Sequence, residues 1–140
     1  MIAACVHGRS LRTGTSCSAG QTEYSVNVPM RAMTLTAHLQ PRIVTTAWVL
    51  TELAAAMSAP AKRERFLKLF DVLSASDEVK LVPASAELFD AGLALYRSRP
   101  DKSWSLTDCI SFIVMEHEGL TEALTGDHHF EQAGFTALLK

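Results

Sequence analysis

WSLTDCISFIVMEHEGLTEALTGDHHFEQAGF, Trp104 to Phe135, is the stretch whose reading decides the fold. Ser105 stands where a helix starts, and Leu106, Ile110, Ile113 and Val114 recur behind it at helical spacing. Gly119 falls where a helix C-terminus favours glycine. Leu120 to Thr125 then reads as a short strand, Asp127 to Ala133 as a helical turn, and Phe135 to Leu139 as a last strand. That rhythm is the rhythm of an α/β domain. In such folds, ligands collect at the edge where strands end and helices begin. Asp108 and Asp127 both stand at junctions of that kind.

The pattern continues upstream. Ile43 to Thr46 is a β-branched run expected of a buried strand, and Ala47 to Met57 follows with Val49, Leu50, Leu53 and Met57 apolar. Pro60 opens a second helix with Phe66, Leu69, Phe70 and Leu73 on its inner side. Val79 to Val82 alternates as a strand, ended by Pro83. A helix from Ser85 to Arg97 follows, with Leu88, Phe89, Gly92, Leu95 and Tyr96 inward, and a polar loop runs from Arg97 to Ser103. Strands and helices in alternation imply a parallel sheet with helices on its faces. Pro29 to Leu39 reads as a short helix. Residues 1–28, rich in Ser, Thr and Gly, show neither period and read as loop or disorder, so the expected domain is 29–140.

Composition closes off several classes of function. At 140 residues the chain is one domain, and a net charge of −2 gives no support for broad nonspecific nucleic-acid binding. Cys5, Cys17 and Cys109 make no C-x-x-C pair, so neither a disulfide framework nor a zinc site is indicated, and Cys109 reads as a small core residue. No apolar run is long enough to span a bilayer, and residues 1–25 lack the apolar core of a signal peptide. The expected location is the cytoplasm, with no membrane partner.

Three acids occupy corresponding places in the alternation: Glu52 in the helix after Ile43–Thr46, Asp108 in the first turn of the helix opened by Ser105, and Asp127 just after Leu120–Thr125. Parallel topology puts strand carboxyl ends and helix amino ends on one edge, where the three can converge. Carboxylates without cysteine suit a hard cation, Mg²⁺ or Mn²⁺, and such ions act mostly on phosphates. Each acid also has a plain reading. Ser105-Leu106-Thr107-Asp108 fits a capping box, Asp127 fits an N-cap, and Glu52 fits a solvated helix face. Spacing alone leaves both sets of readings open. The adjacent His128 and His129 invite a metal or general-base reading, but neighbours on a helix point apart, so they read as a poor chelating pair, with at least one at the surface. Trp104 beside Lys102 is either a base-stacking platform or, preferably, a Trp covering the helix start. The run Lys62-Arg63-Glu64-Arg65 reads as a solvated helix face.

At this point the residues resemble a family. SLTDCISF followed by GLTEALTGDHHFEQAGF is similar to the carboxyl-terminal half of a PIN domain, especially the VapC-like toxins of bacterial type II toxin–antitoxin pairs. The upstream IVTTAWVLTEL resembles that family's second strand and the helix carrying its acid. The likeness covers about Arg42 to Leu139. It implies a three-layer α/β/α fold around a parallel sheet. It further implies a Mg²⁺- or Mn²⁺-dependent endoribonuclease, a cognate antitoxin that blocks the site, and a possible homodimer.

Carried over by position, Glu52, Asp108 and Asp127 are the metal-binding and catalytic acids, serving in-line attack of water on an RNA phosphodiester, and Lys102 falls near the phosphate path. The family opens with an apolar strand ending in Asp followed by Thr or Ser, and that aspartate is a central ligand. Here no aspartate precedes Asp71, and the only acid before Glu52 is Glu23, which follows no apolar run. The first strand and its ligand therefore read as missing or replaced, and weak or no nuclease activity is expected. Two other readings compete: a catalytically dead PIN-like module that binds an antitoxin or dimerises, and a small α/β domain whose acids are helix caps.

Overall fold

The computed structural model describes Ala4–Val6 and residues 43–139. The expected helix from Pro29 to Leu39, and the expected disorder of residues 1–28 apart from Ala4–Val6, lie outside the described residues.

The elements run β1 (Ala4–Val6), β2 (Ile43–Thr46), α1 (Ala47–Ala56), α2 (Pro60–Ala75), β3 (Val79–Val82), α3 (Ala86–Ser98), α4 (Leu106–His117), β4 (Glu122–Leu124), α5 (His128–Gln132) and β5 (Thr136–Ala137). They build a five-stranded sheet of order β3-β2-β1-β4-β5. β2 pairs with β3 and β4 with β5 in parallel, as the alternation implied. The α/β fold expected from the sequence is the fold found.

The middle of the sheet differs from expectation. The place of the first strand is filled, by a replacement of three residues. β1 runs antiparallel to both neighbours, pairing Cys5 with Val44 and with Ala123. A strand between two others satisfies their ladder groups in either direction. Direction leaves no trace in a run as short as Ala4-Cys5-Val6, so the sequence pattern cannot reveal it.

Alternate residues of the strands serve opposite faces of the sheet. On one face Val44 and Ala123 join a core with Val49, Trp104, Cys109, Phe112, Val114, Met115, Leu120 and Phe130, all buried. Phe112 is its hub, meeting Trp104 edge-on at 5.0 Å, Phe130 edge-on at 4.9 Å and Phe135 tilted at 5.7 Å between ring centroids. Such contacts add to the area each ring buries. Cys109 is fully buried there, the small core residue the sequence suggested. On the other face Ile43, Thr45 and Leu124 meet Leu50 and Leu53 of α1 and Leu69 and Leu73 of α2, around an apolar cavity of about 140 Å³. Two helical layers thus flank the sheet.

Helix ends follow from single residues. Gly119 (φ +65°) and Gly134 (φ +94°) each stand one place past a C-cap in the left-handed region. After α4, Leu120 N–H donates to Met115 C=O at 2.8 Å and Gly119 N–H to Glu116 C=O at 3.2 Å. After α5, Phe135 and Gly134 repeat the pattern on Phe130 and Glu131. Both are Schellman motifs, which need the freedom of glycine.

α2 departs from its predicted burial. None of its residues is buried, and Leu67, Phe70 and Val72 are exposed. Phe89 and Tyr96, expected inside α3, are exposed as well, while Leu88 and Leu95 pack on the core and Gly92 is buried. A Cβ on Gly92 would collide with the Ile110 side chain, so this glycine lets α3 and α4 close on each other. Lys62, Arg63, Glu64 and Arg65 are exposed, the solvated face expected of them.

Candidate metal centre

Each of the three acids sits on or beside a helix start. Thr46 ends β2 and caps α1, its hydroxyl accepting from Val49 N–H at 3.2 Å. Glu52 follows on α1, exposed, with no hydrogen bond or ion pair to any described residue. At the start of α4 the capping box is complete. Ser105 Oγ accepts from Asp108 N–H at 3.0 Å, and Asp108 Oδ2 accepts from Ser105 N–H at 2.8 Å.

Asp127 is held from both sides. Its N–H donates to Thr125 Oγ1 at 3.1 Å, and its Oδ1 accepts from His129 N–H at 2.9 Å as the cap of α5. Gly126, just before it, has no room for a side chain: a Cβ there would lie 2.6 Å from the Leu139 carbonyl oxygen. Leu139 is tied to the residue just past β4, its N–H donating to Thr125 C=O at 3.0 Å. The plain readings of Asp108 and Asp127 as helix caps are therefore borne out.

The same two carboxylates also flank one imidazole. His129 Nδ1 lies 3.4 Å from Asp127 Oδ2 and 3.5 Å from Asp108 Oδ2. The side chains of Asp127, Asp108 and His129 retain only 5%, 14% and 18% of their exposure, so the cluster is largely shielded. Caps and convergence do not compete. Each carboxylate uses an oxygen to hold a helix start, and that bond fixes its direction, as outer-shell bonds fix ligands in metal sites. Phe112, one turn beyond Asp108, and Phe130, next to His129, pack edge to face and lock the two helix starts together.

His129 is the residue that sequence reasoning raised as a metal or base candidate and set aside. Its Nδ1 is shut off from solvent and makes no hydrogen bond to any described residue, and a buried nitrogen left unpaired costs about 1–3 kcal/mol. His128 is at the surface, with 68% of its side chain exposed, yet its Nδ1 stands 3.5 Å from Asp127 Oδ1. Donor atoms of Asp127, His128 and His129 lie within 4.8 Å of one another. Adjacent residues within a helix diverge, but here Asp127 precedes both and its carboxylate turns back over them as the cap. The cap signal at Asp127 was the clue: the residue whose N–H it binds is His129.

The donor set fits a divalent cation. His129 Nδ1 faces one oxygen of each carboxylate at 3.4–3.5 Å, beyond a good hydrogen bond and near the separation of neighbouring ligands on one ion. The structure ties Asp108 to Asp127 through His129 and shows no tie from Glu52 to either.

The flanking loop is settled differently from one sequence reading. Trp104 is buried, donates from Nε1 to Gln132 Oε1 at 3.3 Å, and carries the Arg99 guanidinium 4.9 Å from its ring centroid. It covers the helix start and offers no face to a base. Arg99 grips Asp101 through two bonds of 2.9 and 3.0 Å, holding that carboxyl down to about 2. Lys102 is half-buried, its Nζ 3.9 Å from Asp101. Tyr96, Arg97, Arg99, Pro100 and Lys102 line a cavity of about 320 Å³.

Comparison with known proteins now bears on this geometry. A sequence model of the PIN domain matches residues 29–136. The chain belongs to the PIN domain family. The matched stretch contains β2 through α5 and leaves β1 outside it. Among solved structures, the PIN fold here is similar to the crystal structure of VapC20 from Mycobacterium tuberculosis, a toxin that cleaves the sarcin–ricin loop. The TM-score is 0.63 at 23% identity, over 76% of this chain and 82% of that one. No curated protein sequence matches the chain. No helix among the described residues is long and apolar enough to cross a membrane.

Proposed function

We propose that this PIN domain is a VapC-like, metal-dependent endoribonuclease by descent, with an incomplete metal site and correspondingly weak cleavage. The observation that carries the reading is the meeting of Asp108 and Asp127, from two separate helix starts, across His129 Nδ1 at 3.5 and 3.4 Å. A divalent cation bound there supplies a Lewis acid for water and for the RNA phosphodiester. Asp108 and Asp127 hold it, pre-oriented by their caps. Glu52 joins from α1 as the third acid, its exposed side chain free to swing. Lys102, in the loop that leads into α4, contributes positive charge for the phosphate.

Incompleteness follows from β1. The family's first aspartate stands at the carboxyl end of the first strand, whereas β1 carries no acid and runs backwards. Val6, its last residue, pairs with Glu122 and Ile43, the first residues of β4 and β2. One carboxylate fewer weakens the hold on a dication and leaves the attacking water poorly placed. Incubation of purified protein with RNA in Mg²⁺, Mn²⁺ or chelator tests this. Little cleavage with detectable ion binding is expected. Robust ion-dependent cleavage, lost in Asp108→Asn, would overturn the incomplete-site reading.

A second reading is favoured by α2. Its exposed Leu67 and Phe70, with Phe66, Leu50, Leu81 and Pro83, line an open apolar groove of about 690 Å³. Uncovered apolar surface of this kind marks interaction sites. A catalytically silent module that binds a cognate antitoxin or dimerises would use it. Co-expression with a candidate cognate antitoxin separates the two: co-purification with RNA intact supports the module.

A further inference from the structure

We infer that His129 is itself a metal ligand through Nδ1, making this a mixed nitrogen–oxygen site that prefers a first-row transition ion over Mg²⁺. The inference rests on the metal-dependent reading above and goes beyond its three acids.

The argument begins with the atom. Nδ1 of His129 is enclosed and has no hydrogen-bond partner among the described residues, although two carboxylate oxygens lie 3.4 and 3.5 Å away. At that separation a direct N–H···O bond is poor. Ligands at about 2.1 Å from one octahedral ion stand about 3.0 Å apart, so a closure of a few tenths of an ångström would bring His129 Nδ1 and a carboxylate oxygen to the spacing of neighbouring ligands. The backbone already fixes all three. Asp108 is held by Ser105 N–H, Asp127 by His129 N–H, and His129 by its place beside the buried Phe130.

Ligand chemistry then sets the preference. Mg²⁺ takes oxygen donors, whereas an imidazole nitrogen among carboxylates suits first-row transition ions. His128, 68% exposed and with its Nδ1 3.5 Å from the other oxygen of Asp127, stands on the solvent side as the competing imidazole.

The test uses the full chain and Mn²⁺ as the probe. Pulsed electron paramagnetic resonance of the Mn²⁺-loaded protein should show nitrogen modulation, which changes character when the protein carries ¹⁵N-histidine. His129→Gln should abolish it and His128→Gln should leave it. By calorimetry, Mn²⁺ should bind at least about tenfold tighter than Mg²⁺, a margin that His129→Gln removes. An all-oxygen Mn²⁺ signal in the unaltered protein overturns the inference and leaves the metal-dependent reading standing. Loss of the signal in His128→Gln with retention in His129→Gln overturns it too. Failure of Mn²⁺ to bind in the millimolar range overturns both. The isotope comparison requires no substitution, so a misfolded variant does not blunt it.

Discussion

Asp127 carries two duties on one carboxylate: it caps α5 through Oδ1 and faces the enclosed Nδ1 of His129 through Oδ2. The duties separate by substitution. Asparagine caps a helix about as well as aspartate, so Asp127→Asn should cost under about 1 kcal/mol of stability. The charge is lost, however, and Mn²⁺ affinity should fall by at least about tenfold. Calorimetric unfolding and ion titration on one sample read both numbers. A large stability loss with unchanged ion affinity would reduce Asp127 to a cap. Gly126→Ala probes position without removing a donor. Its Cβ would press on the Leu139 backbone, shifting Asp127 and weakening ion binding while the carboxylate remains. Asp101 offers a separate check on the flanking loop. Arg99 lowers its folded pKa to about 2, so the pair is intact above the ordinary carboxylate range and lost as pH falls through that value. Carbon-detected NMR titration should find the low midpoint, and Arg99→Gln should return it to about 3.9.

At the scale of elements, burial is unevenly distributed, and stability should follow it. Phe112 joins α4 to Trp104, Phe130 and Phe135, so Phe112→Ala should cost about 3–5 kcal/mol. Leu67 on α2 is 52% exposed, and Leu67→Ala should cost no more than about 0.5 kcal/mol. Denaturant unfolding of both variants measures the contrast. Equal losses would mean that α2 is covered by something when folded.

The same contrast explains what the sequence disclosed. Spacing identified β2, β3 and every described helix within a residue or two, because caps at Thr46, Ser85, Ser105 and Asp127 mark their starts. Periodicity misplaced Phe70 and Phe89, since a helical stripe says which residues share a face and not what covers that face. It also could not reach His129. The ring is brought between two carboxylates by packing of Phe130 on Phe112, a contact between residues eighteen apart in sequence that no local pattern encodes.

The whole molecule turns on the direction of one strand. β1 joins the β2–β3 half of the sheet to the β4–β5 half, and it runs against both. An aspartate grafted where the family has it, at the end of the first strand, therefore lands at the wrong edge. In Val6→Asp the new carboxylate would stand beside Ile43 and Glu122, at the strand starts. The proposed metal site lies past the other ends of those strands, beyond Thr46 and Leu124. Four residues of β2, at about 3.3 Å each, put more than about 10 Å between the two edges, too far for one side chain to reach an ion held by Asp108 and Asp127. Val6→Asp should accordingly leave Mn²⁺ affinity unchanged, provided circular dichroism shows the fold retained. A gain of about tenfold or more would show that the strand runs the other way, with the family's fourth ligand restored by a single substitution.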